Sequence, residues 1–256
     1  MIDSKAVIDS RAELADDVTV GPFSVIGPGV QIDSGTVIGS HVVIKGPTTI
    51  GRGNCIYQFS SIGEDPQDRK YAQEETRLII GDRNKIREFS TMHRGTKQDQ
   101  GITQIGDDNL FMAYTHVAHD CVIGDEVIMA NGASLAGHVH IEDHAILGGF
   151  TLVHQFTQIG QFSFSAMGSA ITQDIPPYVM IGGSPTRPHG INSVGMERIG
   201  IKADAIRQIR KAYKILYKSN LKLEDAIEQM EDLAGESDEL SVMVSFLRNV
   251  TRGILR

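Results

Sequence analysis

Residues 20–50 read V GPFSVI GPGVQI DSGTVI GSHVVI KGPTTI, with an aliphatic side chain closing every block of six. Followed outward, the same period takes in Ile2, Ile8 and Leu14 on one side and Ile56 and Ile62 on the other. It resumes at Ile80, Ile86 and Met92, then runs from Ile105 through Phe111, Val117, Ile123, Met129, Leu135, Ile141, Leu147, Val153, Ile159 and Ser165 to Ile171. A helix repeats every 3.6 residues or so and a strand every second one, and neither produces a spacing of six. A hexapeptide repeat does, and it signals a β-helix. Three hexads close one triangular coil, each sixth residue points into the prism, and each coil hydrogen-bonds to the coils above and below. The expected fold class is therefore mainly β, a left-handed parallel β-helix with a small C-terminal α-helical domain.

Composition agrees with a thin prism. Among 256 residues there is no Trp, and the 27 glycines suit corners where left-handed or crowded backbone excludes a Cβ. Gly21, Gly27, Gly39, Gly51, Gly81, Gly106 and Gly124 each follow a core position directly. The two cysteines, Cys55 and Cys121, have no metal-site spacing and form no disulfide framework, so a cytoplasmic, reducing location is expected. No charged-then-apolar leader precedes the repeat, and no apolar run approaches the roughly 20 residues that span a bilayer. A formal charge of −8 argues against a nucleic-acid binder.

The repeat is interrupted twice. Ile62 and Ile80 stand 18 residues apart, numerically one coil, but the stretch between them is polar and poorly strand-like. Met92 and Ile105 stand 13 apart, so a loop must bulge there. Loops at 63–79 and 93–104 are thus expected to leave the solenoid, where binding residues concentrate. The Pro-rich run from Ile175 to Pro188 marks a boundary, since consecutive prolines cannot continue a central strand. The division expected is a β-helix over 1–187 and helices over 188–256. Ile206, Ile209, Tyr213 and Leu216 fall at helical spacing, as do Leu223, Ile227, Met230 and Leu233. A third helix is expected behind an N-cap at Ser237, carrying Leu240, Val244 and Leu247. An isolated prism has open ends and flat sides, so three prisms packed as a homotrimer are expected.

Position around the prism is sequence number modulo 18. On that count His116, His119, His138 and His154 gather at one corner of three successive coils. Coils stack like paired strands, about 4.8 Å apart, so the column has the span of a small-molecule site. Two chemistries suit clustered imidazoles. They could bind zinc, as in β-helix carbonic anhydrases, although tetrahedral ligation usually draws histidines from two walls. Alternatively one histidine acts as general base in acyl transfer, with Asp120 orienting an imidazole. No nucleophile elbow or reactive-cysteine context is present, so the acceptor hydroxyl would attack directly.

The segments HVAHDCVIG (116–124), LAGHV (135–139), VHQF (153–156), IGEDPQDRKY (62–71), GDRNKIRE, HRGT, DIPPYV and TRGILR span the chain. Together they closely resemble the UDP-N-acetylglucosamine 3-O-acyltransferases that open bacterial lipid A biosynthesis. The resemblance implies transfer of an R-3-hydroxyacyl group from acyl carrier protein to the glucosamine 3-hydroxyl. The only acyl carrier involved is the phosphopantetheine of that protein, with no metal and no other cofactor. It implies His119 as general base, Asp120 as its partner, and the backbone N–H of Gly137 as oxyanion donor. His116, His138 and His154 would contact sugar, phosphate or pantetheine. Gln67, Asp68 and Lys70 match sugar- and phosphate-binding positions, and Gln155, Asn192 and Arg198 match positions near the nucleotide. In this family the acyl chain lies between adjacent prisms; Met167, with Phe164 nearby, matches the side chain that limits its length. Val194 and Ile199 depart from the acidic residue and second Arg of better-known members. Some relatives take a 3-amino sugar nucleotide, so the acceptor stays open. The N-acyltransferase of the same pathway carries an N-terminal uridine-binding domain that a repeat starting at Ile2 does not provide, and a purely structural solenoid would show a Thr or Ser ladder. Finally, Arg207, Arg210, Lys211, Lys214 and Lys218 line one face of the first long helix, whereas residues 1–187 hold 13 basic and 22 acidic side chains. An acidic acyl carrier protein suits that stripe.

Overall fold

The protein is described by a computed structural model covering residues 1–234, 237–250 and 252–256. Three walls of nine, eight and ten short strands, parallel except for the last strand of the third, enclose a narrow left-handed prism. Most strands are two or three residues long and end on the aliphatic of the hexad, whose side chain turns inward. Ile26, Ile44, Ile62, Met92 and Val117 stack up the first wall in continuous register. All five are essentially inaccessible to water, and each such burial contributes about 1.5–3 kcal/mol. The first coil is the exception: Ile2 is half-exposed and Ile8 and Leu14 are only partly covered, because no coil stacks beneath them among the described residues. Ser165, the one polar residue in the period, is satisfied inside by Thr151 Oγ1 at 2.8 Å and the Gly148 N–H at 3.1 Å.

Two details differ from the sequence reading. Ile62 pairs with Met92 and Ile50 with Ile80, both thirty positions on rather than eighteen. The stretch between Ile62 and Ile80 is therefore a single hexad step carrying a twelve-residue loop, not a coil of its own. The glycines after core positions, Gly63 apart, also serve crowding rather than left-handed backbone. A Cβ on Gly51 would fall 2.7 Å from the Gly81 carbonyl oxygen of the next coil. Left-handed backbone sits two residues later in the hexad and is mostly not glycine: Phe23, Phe59, Asp120, His138 and Phe156 all have φ near 60°.

Stacking continues past Ile171. Val179–Gly182 joins the third wall in parallel, and Arg187–Ile191, crossing the expected boundary, returns antiparallel to it. Four helices follow: α1 (Ser193–Arg198), α2 (Ala203–Lys218), α3 (Leu223–Ala234) and α4 (Asp238–Arg248). The short α1 was not legible as a helix. Ser237 does cap α4, accepting the Leu240 N–H. The C-terminal residues return to the prism, where Ile254 bridges Asp174 and the Leu255 N–H donates to the Asp174 carbonyl.

Candidate active site

One corner, between the first and second walls, collects the chemistry. Both loops leave there, over 65–76 between Ser61–Glu64 and Arg77–Ile80, and over 94–101 between Thr91–His93 and Ile102–Ile105. On the next three coils the same corner bears His119–Asp120, Gly137–His138 and Gln155–Phe156. The loops thus fold out over the histidines because every hexad exits this corner in the same direction.

His119 Nδ1 lies 2.9 Å from Asp120 Oδ2. Asp120 is buried, and its left-handed backbone turns the carboxylate inward. Its Oδ1 accepts the Thr96 N–H at 2.8 Å, and its Oδ2 accepts the Thr96 hydroxyl at 2.6 Å. Burial pushes this carboxyl up, but hydrogen bonds from His119 and Thr96 outweigh it and hold Asp120 below the usual carboxylate range. An ionised carboxylate only accepts, so His119 carries its proton on Nδ1 and leaves Nε2 as a base. Gly137 faces that ring: a Cβ there would come within 2.5 Å of Cε1 and 2.7 Å of Nε2.

His138 crosses His119 edge-on, with centroids 5.1 Å apart, and its other face stacks on Phe156 at 4.4 Å. Its Nδ1 meets Asp99 Oδ2 at 2.8 Å. Around these two rings lies an open cavity of about 770 Å³, lined also by Gln67, Asp68, Arg69, Lys70, Gln98 and Gln155. Arg94, almost fully buried, reaches back to the Gly63 carbonyl, Asp65 and Tyr71, so the second loop pins the first. His119, Asp120 and His138 also offer three donor atoms within 4.8 Å of one another, a set open to a metal ion. Each is already engaged in a hydrogen bond with a neighbour, the two histidines facing carboxylates and Asp120 accepting from His119 and Thr96, which suits an oriented base better than a ligand set. Cys121 is no nucleophile, since burial pushes its thiol up to about 12.

With this geometry in view, comparison with known proteins decides the family. Residues 174–255 match a family model described as UDP-N-acetylglucosamine O-acyltransferase, domain 2, and residues 11–46 and 102–137 match bacterial transferase hexapeptide repeats. The acyl-[acyl-carrier-protein]–UDP-N-acetylglucosamine O-acyltransferase of Stutzerimonas stutzeri is 54% identical over 256 residues, covering 100% of this chain and 99% of that protein. The chain belongs to that O-acyltransferase family. The solved LpxA from Acinetobacter baumannii superposes with a TM-score of 0.98 at 46% identity, over 100% of this chain and 99% of that one. The acyltransferase from Arabidopsis still gives 0.87 at 32% identity, over 100% of both chains.

Within this O-acyltransferase, the cavity gathers Gln67, Asp68, Lys70, His119, His138 and Gln155 of the expected site residues. His116 stands beside it on the first wall, its Nδ1 2.7 Å from Thr91 Oγ1 and its ring edge-on to His93. Burial, and then the neighbouring His119, push His116 below the ordinary imidazole value. His154 is exposed beside the Gln155 carbonyl and does not line the cavity. Asn192 is spent on structure, capping α1 at Gly195 N and donating to the Phe162 carbonyl. Arg198 ends α1, exposed. Phe164 is a half-buried residue of the third wall and Met167 a highly exposed corner residue. The residues missed were Arg69, Gln98, Asp99, Thr96 and Phe156. Phe156 was within reach, because it shares the hexad position of Asp120 and His138; the loop residues have no register to betray them.

Proposed function

We propose that this acyltransferase moves an R-3-hydroxyacyl group from acyl carrier protein to the 3-hydroxyl of UDP-N-acetylglucosamine, the first step of lipid A biosynthesis. The observation that carries this reading is the ordered chain Thr96–Asp120–His119, ending in a free Nε2 at a polar cavity wide enough for a sugar nucleotide. His119 Nε2 takes the hydroxyl proton as the oxygen attacks the thioester carbonyl. The tetrahedral oxyanion collects a hydrogen bond from the Gly137 N–H, which meets no acceptor among the described residues. Collapse breaks the carbon–sulfur bond, and the imidazolium returns its proton to the leaving thiolate. No covalent acyl-enzyme is needed. Arg69 and Lys70 supply positive charge for the diphosphate, Gln67, Asp68 and Gln155 suit sugar and nucleotide hydroxyls, and His138 suits a phosphate or pantetheine amide. His116 borders the same substrates from the first wall and His154 from outside the cavity; Arg198 approaches the nucleotide from α1, and Asn192 serves it by holding the start of that helix.

The basic residues of α2 are all exposed, with Ala205, Ile206, Ile209, Ala212, Tyr213 and Leu216 buried behind them, which supports docking of an acidic acyl carrier protein there. A homotrimer is supported by an exposed ring ladder up the corner between the third and first walls. Phe23, His41, Phe59, Phe89 and Tyr114 stack at about 5 Å intervals, an apolar edge that a monomer would leave in water. Two free cysteines suit a cytoplasmic location, and no described helix is long and apolar enough to cross a membrane. The test is transfer from one 3-hydroxyacyl carrier protein to UDP-N-acetylglucosamine and to its 3-amino analogue, side by side. Ester formation on the natural sugar supports the proposal; amide formation alone would replace it with the amino-sugar reaction.

A further inference from the structure

The loop over 94–101 does more than roof the cavity. Thr96 is wholly buried, yet both its backbone N–H and its hydroxyl are directed at one carboxylate, that of Asp120. Gly95 before it makes this approach possible, since a Cβ there would fall 2.8 Å from Asp120 Oδ1 and 2.3 Å from the Ile102 nitrogen. From below, the Asp120 N–H is held by Thr103 Oγ1 at 2.8 Å. Thr96 thus fixes the carboxylate and Thr103 the backbone of the same residue, and the hydroxyl of Thr96 and the Nδ1–H of His119 converge on the same oxygen, Oδ2. Sharing that oxygen has two consequences. It locks the plane of the carboxylate, and with it the imidazole that hydrogen-bonds to it. It also divides the negative charge of Oδ2 between two donors, which tempers how strongly Asp120 holds the proton of His119.

We propose that Thr96 is a positioning residue for acyl transfer, acting on the base through Asp120 and touching no substrate; this rests on His119 being the base. The other titratable groups around His119 are His138, paired with Asp99, the imidazoles of His116 and His93, and Asp68, Arg69 and Lys70 lining the same cavity. Of these only Asp99 meets Thr96, its backbone N–H donating to the Thr96 carbonyl at 3.2 Å, a bond that side-chain substitution leaves in place. The Thr96 hydroxyl itself donates to Asp120, so substitution of that side chain reaches His119 through Asp120.

The experiment compares Thr96→Val, Thr96→Ser and His119→Ala as purified full chains with 3-hydroxyacyl carrier protein and UDP-N-acetylglucosamine, recording kcat, KM and the pH–rate profile. Thr96→Val should lower kcat about 10- to 100-fold, the equivalent of one charge-assisted hydrogen bond, with KM for both substrates near wild type. Its acid limb should move to higher pH, because Oδ2 without its second donor holds the His119 proton more tightly. Thr96→Ser, which keeps the hydroxyl, should restore both kcat and the limb. If Thr96→Val does not fold, Thr96→Ala, which leaves a small void at the same place, takes its part. A folded hydroxyl-less variant with wild-type kcat and an unmoved limb overturns the proposal. A loss of activity that serine fails to restore also overturns it. An active His119→Ala enzyme would instead remove the reading beneath it, so the two failures are separable.

Discussion

Gly137→Ala places a single methyl against the base, and the structure sets the size of the effect. The new Cβ would lie 2.5, 2.7 and 3.0 Å from Cε1, Nε2 and Nδ1 of His119. Ordinary contact is about 3.5–4.0 Å, so the ring must withdraw by about 1 Å. Behind it stands Asp120 Oδ2, already at 2.9 Å and fixed by Thr96. Withdrawal therefore compresses or breaks the bond that orients the imidazole. A misplacement of about 1 Å at a reacting group costs about 100-fold in rate, close to 2.7 kcal/mol of barrier. Gly137 does not use left-handed backbone, so alanine should fold there. Steady-state kinetics with the carrier-protein thioester, paired with a thermal melt, should show kcat down about 100-fold and a melting temperature near wild type. A folded Gly137→Ala enzyme with unchanged kcat would refute the placement of His119 against this glycine.

Three further outcomes follow from the same structure. His93 is buried with its Nδ1 unpaired, and burial first, then nearby His116, lowers its pKa to about 4 from 6.5. The unfolded chain then binds the proton first, so stability should fall as pH drops from about 6.5 towards 4, by up to about 3 kcal/mol. Chemical denaturation across that range should show the slope, and His93→Phe should flatten it. Reversing two charges among Arg207, Arg210, Lys211, Lys214 and Lys218 should slow transfer from carrier protein most at low salt; an unchanged rate and salt response would exclude that docking face. Met167 should disfavour fourteen-carbon donors at about 0.8 kcal/mol for each methylene kept from burial. Competition between 3-hydroxydecanoyl and 3-hydroxymyristoyl donors should therefore favour the shorter, with Met167→Gly shifting the choice.

How much of this was legible follows from what carries a period. Core positions such as Ile26, Ile44 and Ile62 repeat because each must fill the same place in the prism, so fold and wall assignment could be read directly. The same count was ambiguous where 18 residues could be either one coil or one hexad with a loop; the polar sequence pointed to a loop, and the Ile62–Met92 and Ile50–Ile80 pairings separate the two. His119 and His138 met as expected, since both lie within a residue of the corner. His154 fell near it by number, but it sits two places before the left-handed residue, Phe156, that actually stacks on His138. Thr96, Asp99 and Arg94 lie on an aperiodic excursion, and their partners Asp120, His138 and Asp65 are set by how the loop folds back, which no spacing encodes.

The central claim is that His119 Nε2 removes the acceptor proton. It is tested most directly by the turnover of His119→Ala in a folded, correctly assembled protein, measured at saturating carrier-protein donor and UDP-N-acetylglucosamine. The side chain contributes little to the prism core, so the melt should stay close to wild type while kcat falls by about 10²–10⁴. Turnover near the wild-type rate would contradict the mechanism and send the search for the base to His138 or His116.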